Sequence, residues 1–188
     1  MRKASLLIIF LTGCFGAVSS YAIEEDRVSE SQMVIKQFAS ELKGELIVNL
    51  KEGGPINAIS VCSEKASMIA DRISQEKGWK IGRVSLRLRN PRNAPDVWER
   101  KALEAFEESS IKGADIKTLE YYETLNEGGK QVFRYMKAIP VGEPCLTCHG
   151  KQIEPDLKAK LKEVYPGDQA IDFSFGEIIG AFSISQSK

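Results

Sequence analysis

The hydrophobic pattern of this 188-residue chain changes from helical to alternating spacing near residue 80, and that change restricts the fold more than any other feature. Apolar residues recur every three or four positions over residues 28–50, which predicts a helix. The Gly53-Gly54-Pro55 run predicts the end of that helix and the start of a second one, which reaches about residue 76. From residue 81 the apolar positions alternate instead. Helices followed by antiparallel strands predict a single α+β domain with the helices on one face of the sheet.

The second half of the chain divides into shorter predicted elements. The pattern predicts a strand at 81–89, a loop at 90–95, a helix at 96–109, strands at 117–125 and 131–141, a cysteine-containing loop, a helix at 155–164 and a last strand at 178–185. Residues 126–130, Asn-Glu-Gly-Gly-Lys, have the composition of a tight turn, so the two middle strands are predicted to form a hairpin. We find no repeat and no interdomain linker.

Composition excludes several kinds of site. The chain has 26 basic and 26 acidic residues, so it lacks the positive excess that a nucleic-acid-binding surface requires. Its single histidine excludes every site that needs two, such as bis-histidine haem ligation or a zinc site of the HExxH kind. Four cysteines are too few for a disulfide scaffold of this length. We expect a globular protein without a catalytic constellation, and therefore not an enzyme.

The N-terminal segment, residues 1–22, has the features of a secretory signal peptide. Arg2 and Lys3 precede a short apolar run, and Ala22 ends a small-x-small cleavage site. The apolar run is shorter than the ~20 residues needed to span a bilayer. An alternative is a lipoprotein signal, because Leu-Thr-Gly precedes Cys14 and would make that cysteine a lipid anchor. Both interpretations predict export to the periplasm, the second with membrane anchoring.

Cys145, Cys148 and His149 form a C-x-x-C-H motif, the attachment signature of haem c. Two thiols at this spacing can add to the two vinyl groups of one haem, and the adjacent imidazole can bind the iron. A redox dithiol is less favoured because no βαβ pattern surrounds the motif. A zinc site would have to recruit Cys62 as its fourth ligand. The motif therefore predicts one covalent haem c with His149 as the proximal iron ligand.

The residues alone leave the second axial ligand of the iron open. Cys62 is the one cysteine left after export and haem attachment, and it lies on the apolar side of its predicted helix. It could bind iron, or it could be a small buried hydrophobic residue. Met68, water or a vacant position are alternatives.

Arginines in and after the first predicted strand are candidates for the haem propionates. Arg83 and Arg87, with Arg89 and Arg92, could pair with carboxylates through bidentate hydrogen bonds. The alternative is a solvated strand face, on which these charges would contact only water.

Several short blocks of residues carry a resemblance to a known family. They are Ala58 and Cys62; Arg83 and Ser85; Arg89-Asn90-Pro91 with Asn93, Pro95, Trp98 and Glu99; Pro144-Cys145-Leu146 with Cys148-His149-Gly150; Tyr165-Pro166 with Asp168 and Ala170; and Gly180-Ala181-Phe182-Ser183. In this order they resemble the Tll-like haem-domain family of PAS-like c-type cytochromes. The resemblance implies a PAS-like antiparallel sheet with flanking N-terminal helices over residues 27–188. It also implies that Cys62 is the distal iron ligand, opposite His149.

The two iron ligands that the resemblance implies, His149 and Cys62, suggest a sensor. An anionic thiolate favours oxidised iron, and on reduction its bond should weaken and open a position for CO or NO. We therefore expect a redox or gas sensor that acts through an unidentified redox or signalling partner. A small periplasmic electron carrier is the alternative; it would keep both ligands in both oxidation states.

Overall fold

Five α-helices and four β-strands make up the described part of this computed structural model, residues 20–187, with side chains from residue 24 onward. The elements are α1 (Ser20–Ser60), a π-helical segment (Val61–Lys65), α2 (Ala66–Lys77), β1 (Lys80–Val84), α3 (Val97–Ile111), β2 (Glu120–Glu127), β3 (Lys130–Pro140), α4 (Glu143–His149), α5 (Pro155–Val164) and β4 (Ile178–Ser187). Most of the predicted signal peptide, including Cys14, lies outside this range. Within it, no helix combines the length and the apolar character needed to cross a bilayer.

The helical part is broken where the sequence predicted a break. Gly54 has φ 68° and ψ −167°, a conformation that other residues avoid, so it interrupts α1. Pro55 follows, at a position where a helix can begin again. The chain then passes through the π-helical segment into α2, which ends at the left-handed Gly78 with φ 69°.

The sheet is antiparallel throughout, with strand order β1-β4-β3-β2. The predicted hairpin is confirmed: Gly128 and Gly129 have φ 61° and 87°, and positive φ at both central residues is what a tight turn between β2 and β3 requires. The α+β prediction and the bounds of α5 are confirmed as well.

Helices cover both faces of the sheet, so the prediction that they lie on one face is wrong. On one face, Phe133, Tyr135 and Ile184 pack against α1 and α2. On the other, Met136, Ala138 and Ala181 pack against Leu103 and Phe106 of α3. The reason is visible in β3, whose residues 132–136 are all buried although their side chains alternate between the two faces.

Two local predictions also need correction. The strand predicted at 81–89 ends at Val84. The backbone N–H of Ser85 donates to Asn93 O at 3.1 Å instead of to a neighbouring strand, so the chain leaves the sheet there. The predicted cysteine loop is instead α4, which begins after Gly142 with Pro144 in its first turn. A proline is tolerated there because the first N–H groups of a helix have no intrahelical partner. Other boundaries differ by a few residues.

Position 180 of β4 requires glycine because the backbone of Val84 passes close to it. A Cβ at this position would collide with the carbonyl oxygen of Val84, whereas a Cβ on Gly82 of β1 would meet nothing within 4 Å. We expect Gly180→Ala to lower the free energy of unfolding by about 2–3 kcal/mol, because backbone cannot move aside as a flexible side chain would. Gly82→Ala, the matched control, should change it by less than about 0.5 kcal/mol. Urea denaturation of both variants measures this, and equal effects would contradict the prediction.

Candidate functional site

A cleft of about 220 Å³ lies at the end of the sheet where β1 stops and β4 begins. Its walls are mostly apolar side chains: Leu42, Leu46 and Leu50 of α1, Val61 of the π-helical segment, Ile139 of β3 and Ile179 of β4. The three leucines repeat every four residues and so form one stripe on α1. The cleft can therefore hold a flat, largely apolar group.

Helix α4 places its three motif residues on the wall of this cleft. Cys145, Cys148 and His149 are separated by three and four positions, so they share one side of the helix. Both thiols are half-buried and form no disulfide. Burial raises the pKa of the Cys148 thiol, which packs against the Leu157–Leu161–Tyr165 cluster. The helix thus presents two thiols and one imidazole to the same space.

The ring of His149 is held in one orientation. Its Nδ1 lies 2.8 Å from Ala170 O, which can only accept, so Nδ1 carries the proton and Nε2 keeps its lone pair. Nε2 lies 3.3 Å from Nη1 of Arg89. Burial, with the nearby Arg89 charge second, lowers the pKa of His149 to about 4. The ring is therefore neutral at neutral pH, which is the form that binds metals.

Arg89 joins the segment around Ala170 to the end of α4. Its Nε donates to Asp168 Oδ2 at 2.9 Å, and its Nη2 donates to Cys148 O at 2.6 Å and to Ala170 O at 3.0 Å. The side chains of Arg89 and Asp168 are only 8% and 11% exposed. These partners accept from most of the N–H groups of the guanidinium. Arg89 therefore links the end of α4 to the segment around Asp168 and Ala170.

Cys62 lies on the same cleft, on the π-helical segment. Short π-helical insertions are rare and often occur at functional sites. The methionines of the described part of the chain, including the alternative ligand Met68, do not line the cleft. Met33 and Met68 are about 60% exposed, and Met136 is buried under α3. Of the sulfur ligands that the sequence suggested, Cys62 is thus the one that faces the cleft.

Comparison with known proteins identifies the family. The model of the Tll0287-like family, described as Tll0287, matches residues 20–187. The chain belongs to the Tll0287-like family. Its backbone is similar to the crystal structure of the cyanobacterial haem protein Tll0287, with a TM-score of 0.65, 25% sequence identity, and coverage of 87% of this chain and 96% of that chain. No curated protein sequence matched. The family resemblance and the fold class predicted from the sequence are both confirmed.

The arginine candidates of this Tll0287-like chain have different surroundings. Arg83 lines the cleft near Cys62 and Tyr165, and burial lowers its pKa. Arg87 also lines the cleft, but its guanidinium carbon lies 3.9 Å from the ring centre of Phe173. Arg92 is exposed and does not line the cleft. Arg83 therefore remains available for a carboxylate in the cleft, and so do the Nη atoms of Arg87, whose Nε donates to Gln169 O at 3.4 Å. Arg89 is engaged with His149.

Sequence reasoning missed two features of the site. Tyr165 is 7% exposed, lines the cleft, and has a buried hydroxyl without a hydrogen-bond partner; the nearby Ser63 hydroxyl donates to Ser60 O instead. Asp168 was noted only as part of a family block. Its pairing with Arg89 joins two blocks that are 79 positions apart. Their shared presence in the family pattern was the signal that could have suggested the contact.

The low pKa of His149 predicts a pH-dependent stability of the chain in its haem-free form. Between pH 6.5 and about 4 the unfolded chain binds a proton at this ring that the folded chain does not. The free energy of unfolding should therefore be highest above pH 6.5 and fall with pH across this window, by about 3 kcal/mol at most. Urea denaturation across pH measures it. His149→Gln should flatten this part of the profile, and an unchanged profile would contradict the prediction.

Proposed function

We propose that this chain is an exported haem protein, in which Cys145 and Cys148 hold one haem c covalently and His149 is the proximal ligand of its iron. The observation that carries the proposal is the placement of these three side chains on one side of α4, facing an apolar cleft. The orientation of His149 adds support, because Nδ1 carries the proton and the lone pair is on Nε2, where a metal would replace the N–H of Arg89 Nη1 that lies 3.3 Å away. The related Tll0287 structure is described as a haem protein.

The residues around the cleft fit a haem better than they fit a bare metal ion. Within residues 20–187 no three His, Cys, Asp or Glu side chains converge closely enough to bind an ion. The cleft instead combines apolar walls with sulfur and imidazole groups spread around it, which suits a large flat group that carries the metal at its centre. Bound there, a haem would supply a one-electron redox centre.

Cys62 is our candidate for the distal ligand, and Arg83 and Arg87 are candidates for the propionates. Cys62 is supported by its place on the cleft and by the exposure or burial of the methionines elsewhere. Arg83 and Arg87 are supported by their places on the wall of the same cleft, where a guanidinium can pair with a carboxylate through two hydrogen bonds.

We propose a sensory role for this site rather than a catalytic one. If a redox partner donated an electron to a haem bound in the cleft, Cys62 Sγ would take a proton from water and stay in the cleft as a neutral thiol, and the space beside it would accept CO or NO. Because the proposed bond between Cys62 and the iron would depend on the oxidation state of the iron, the site would have two states, one for each oxidation state. The signal would pass to an unidentified redox or signalling partner in the periplasm, with the protein either soluble there or anchored through Cys14. An electron carrier is the alternative.

Expression in a host that matures c-type cytochromes tests the proposal. We expect the purified chain to be coloured and its denatured mass to exceed that of the polypeptide by one haem. We also expect the reduced absorption spectrum to change when CO is added, because Cys62 has left. A colourless chain of bare polypeptide mass would refute the haem assignment. A haem-loaded chain whose reduced spectrum ignores CO would refute the sensor and favour the electron carrier.

A further inference from the structure

One ion pair, between Arg89 and Asp168, holds both the backbone N–H and the backbone carbonyl of Ala170. Asp168 Oδ1 accepts from the N–H of Ala170 at 2.9 Å, while Asp168 Oδ2 accepts from Arg89 Nε at 2.9 Å. Arg89 Nη2 in turn donates to Ala170 O at 3.0 Å. Because the pair is almost fully buried, water does not compete for these hydrogen bonds. The position of the Ala170 carbonyl is therefore fixed by two side chains.

That carbonyl oxygen also accepts from Nδ1 of His149 at 2.8 Å, so it serves two donors at once. A carbonyl oxygen has two lone pairs, and both are used here. Donation from Nδ1 to a strong acceptor makes the other ring nitrogen a stronger ligand. The cationic donor on the same oxygen weakens this effect, and a second guanidinium nitrogen lies 3.3 Å from Nε2. Arg89 and Asp168 thus act on His149 in opposite senses.

We propose that Asp168 and Arg89 are positioning residues that fix the tautomer of His149 and set its strength as a ligand; this rests on the proposed function, in which His149 binds iron. The positive charge of Arg89 beside the ring disfavours the more positive, oxidised iron and raises the reduction potential. The carboxylate of Asp168 offsets that charge and lowers the potential. The two members of the pair therefore have opposite electrostatic effects on one ligand.

Redox titration of the haem-loaded protein tests this through the sign of the change. Asp168→Asn should raise the midpoint potential and Arg89→Gln should lower it, each by about a tenfold change in the reduced-to-oxidised ratio, or 59 mV for one electron. The double variant should lie between them. Arg92→Gln, the control, removes the same charge from an exposed position and should leave the potential close to that of the wild type.

Shifts of the midpoint potential with the same sign in both variants, or no shift in either, would overturn the proposal. A purely structural role predicts that both variants change the potential in the same direction or not at all. If Arg89→Gln does not accumulate as a folded protein, Asp168→Asn alone tests the proposal. A midpoint potential that falls or stays unchanged in Asp168→Asn overturns it.

A wild-type chain that carries no haem would refute the proposed function, but not this inference. The ¹⁵N chemical shifts of the single histidine then test it. We expect protonation at Nδ1 in the wild type and a mixture of tautomers in Asp168→Asn. The same tautomer in both would overturn the inference.

Discussion

Replacing Cys145 and Cys148 together with serine is expected to abolish the covalent attachment of haem. A thioether forms only when a thiol adds to a haem vinyl group, and a hydroxyl of nearly the same size does not replace it. Both cysteines are half-buried on α4 beside the cleft, so serine should disturb the packing little. The expected result is a denatured protein with the mass of the bare polypeptide. Each single variant should keep one thioether.

Mass spectrometry under denaturing conditions measures the bond directly, because a haem held only by coordination is lost. Cys62→Ser is the matched control, since it removes a thiol from the same cleft that takes no part in attachment. It should retain the haem mass. Covalent haem in the double variant, or its loss in the control, would contradict the assignment of the two attachment residues.

The second large effect is expected at the iron itself, from Cys62→Ala. Under the proposed ligation, this substitution removes an anionic ligand and with it the preference for oxidised iron, so the reduction potential should rise, by on the order of 100 mV within the ~0.8 V that axial ligands span. The low-spin ferric signature in absorption and EPR spectra should change with it. CO should also bind to the reduced variant at least as readily as to the wild type, because no sulfur has to leave.

Met68→Leu is the control for this experiment. Met68 is the methionine that the sequence offered as an alternative ligand, and its side chain is 62% exposed away from the cleft. It should leave the potential and both spectra unchanged. Retention of the same ferric signature in Cys62→Ala would remove Cys62 from the iron, and a change in Met68→Leu would favour the methionine instead.

Some features of the fold could be predicted because their signals are local. A left-handed Gly54 followed by Pro55 breaks a helix wherever it occurs, and two consecutive glycines at 128 and 129 form a tight turn between any two strands. Helix α5 was predicted with its observed bounds because proline starts it and its apolar positions recur at helical spacing. The spacing of Cys145, Cys148 and His149 is local in the same sense, so the sequence identified them as candidates.

The arrangement around those candidates depends on contacts between distant segments. The apolar pattern of β3 does not say which helix covers which face, so the second face under α3 was missed. The spacing of the methionines does not show that they lie away from the cleft, while Cys62 lies on it.

The sequence by itself determined the order of the strands and of every α-helix except α4, the helix break and the residues with reactive side chains, because each follows from neighbours within a few positions. Only the tertiary structure decided that Cys62 shares a cleft with His149, and that Asp168 and Arg89 hold the carbonyl that orients its ring. Hydrogen bonds between residues 79 positions apart form only after the chain has folded, and their partners leave no periodic pattern in the sequence.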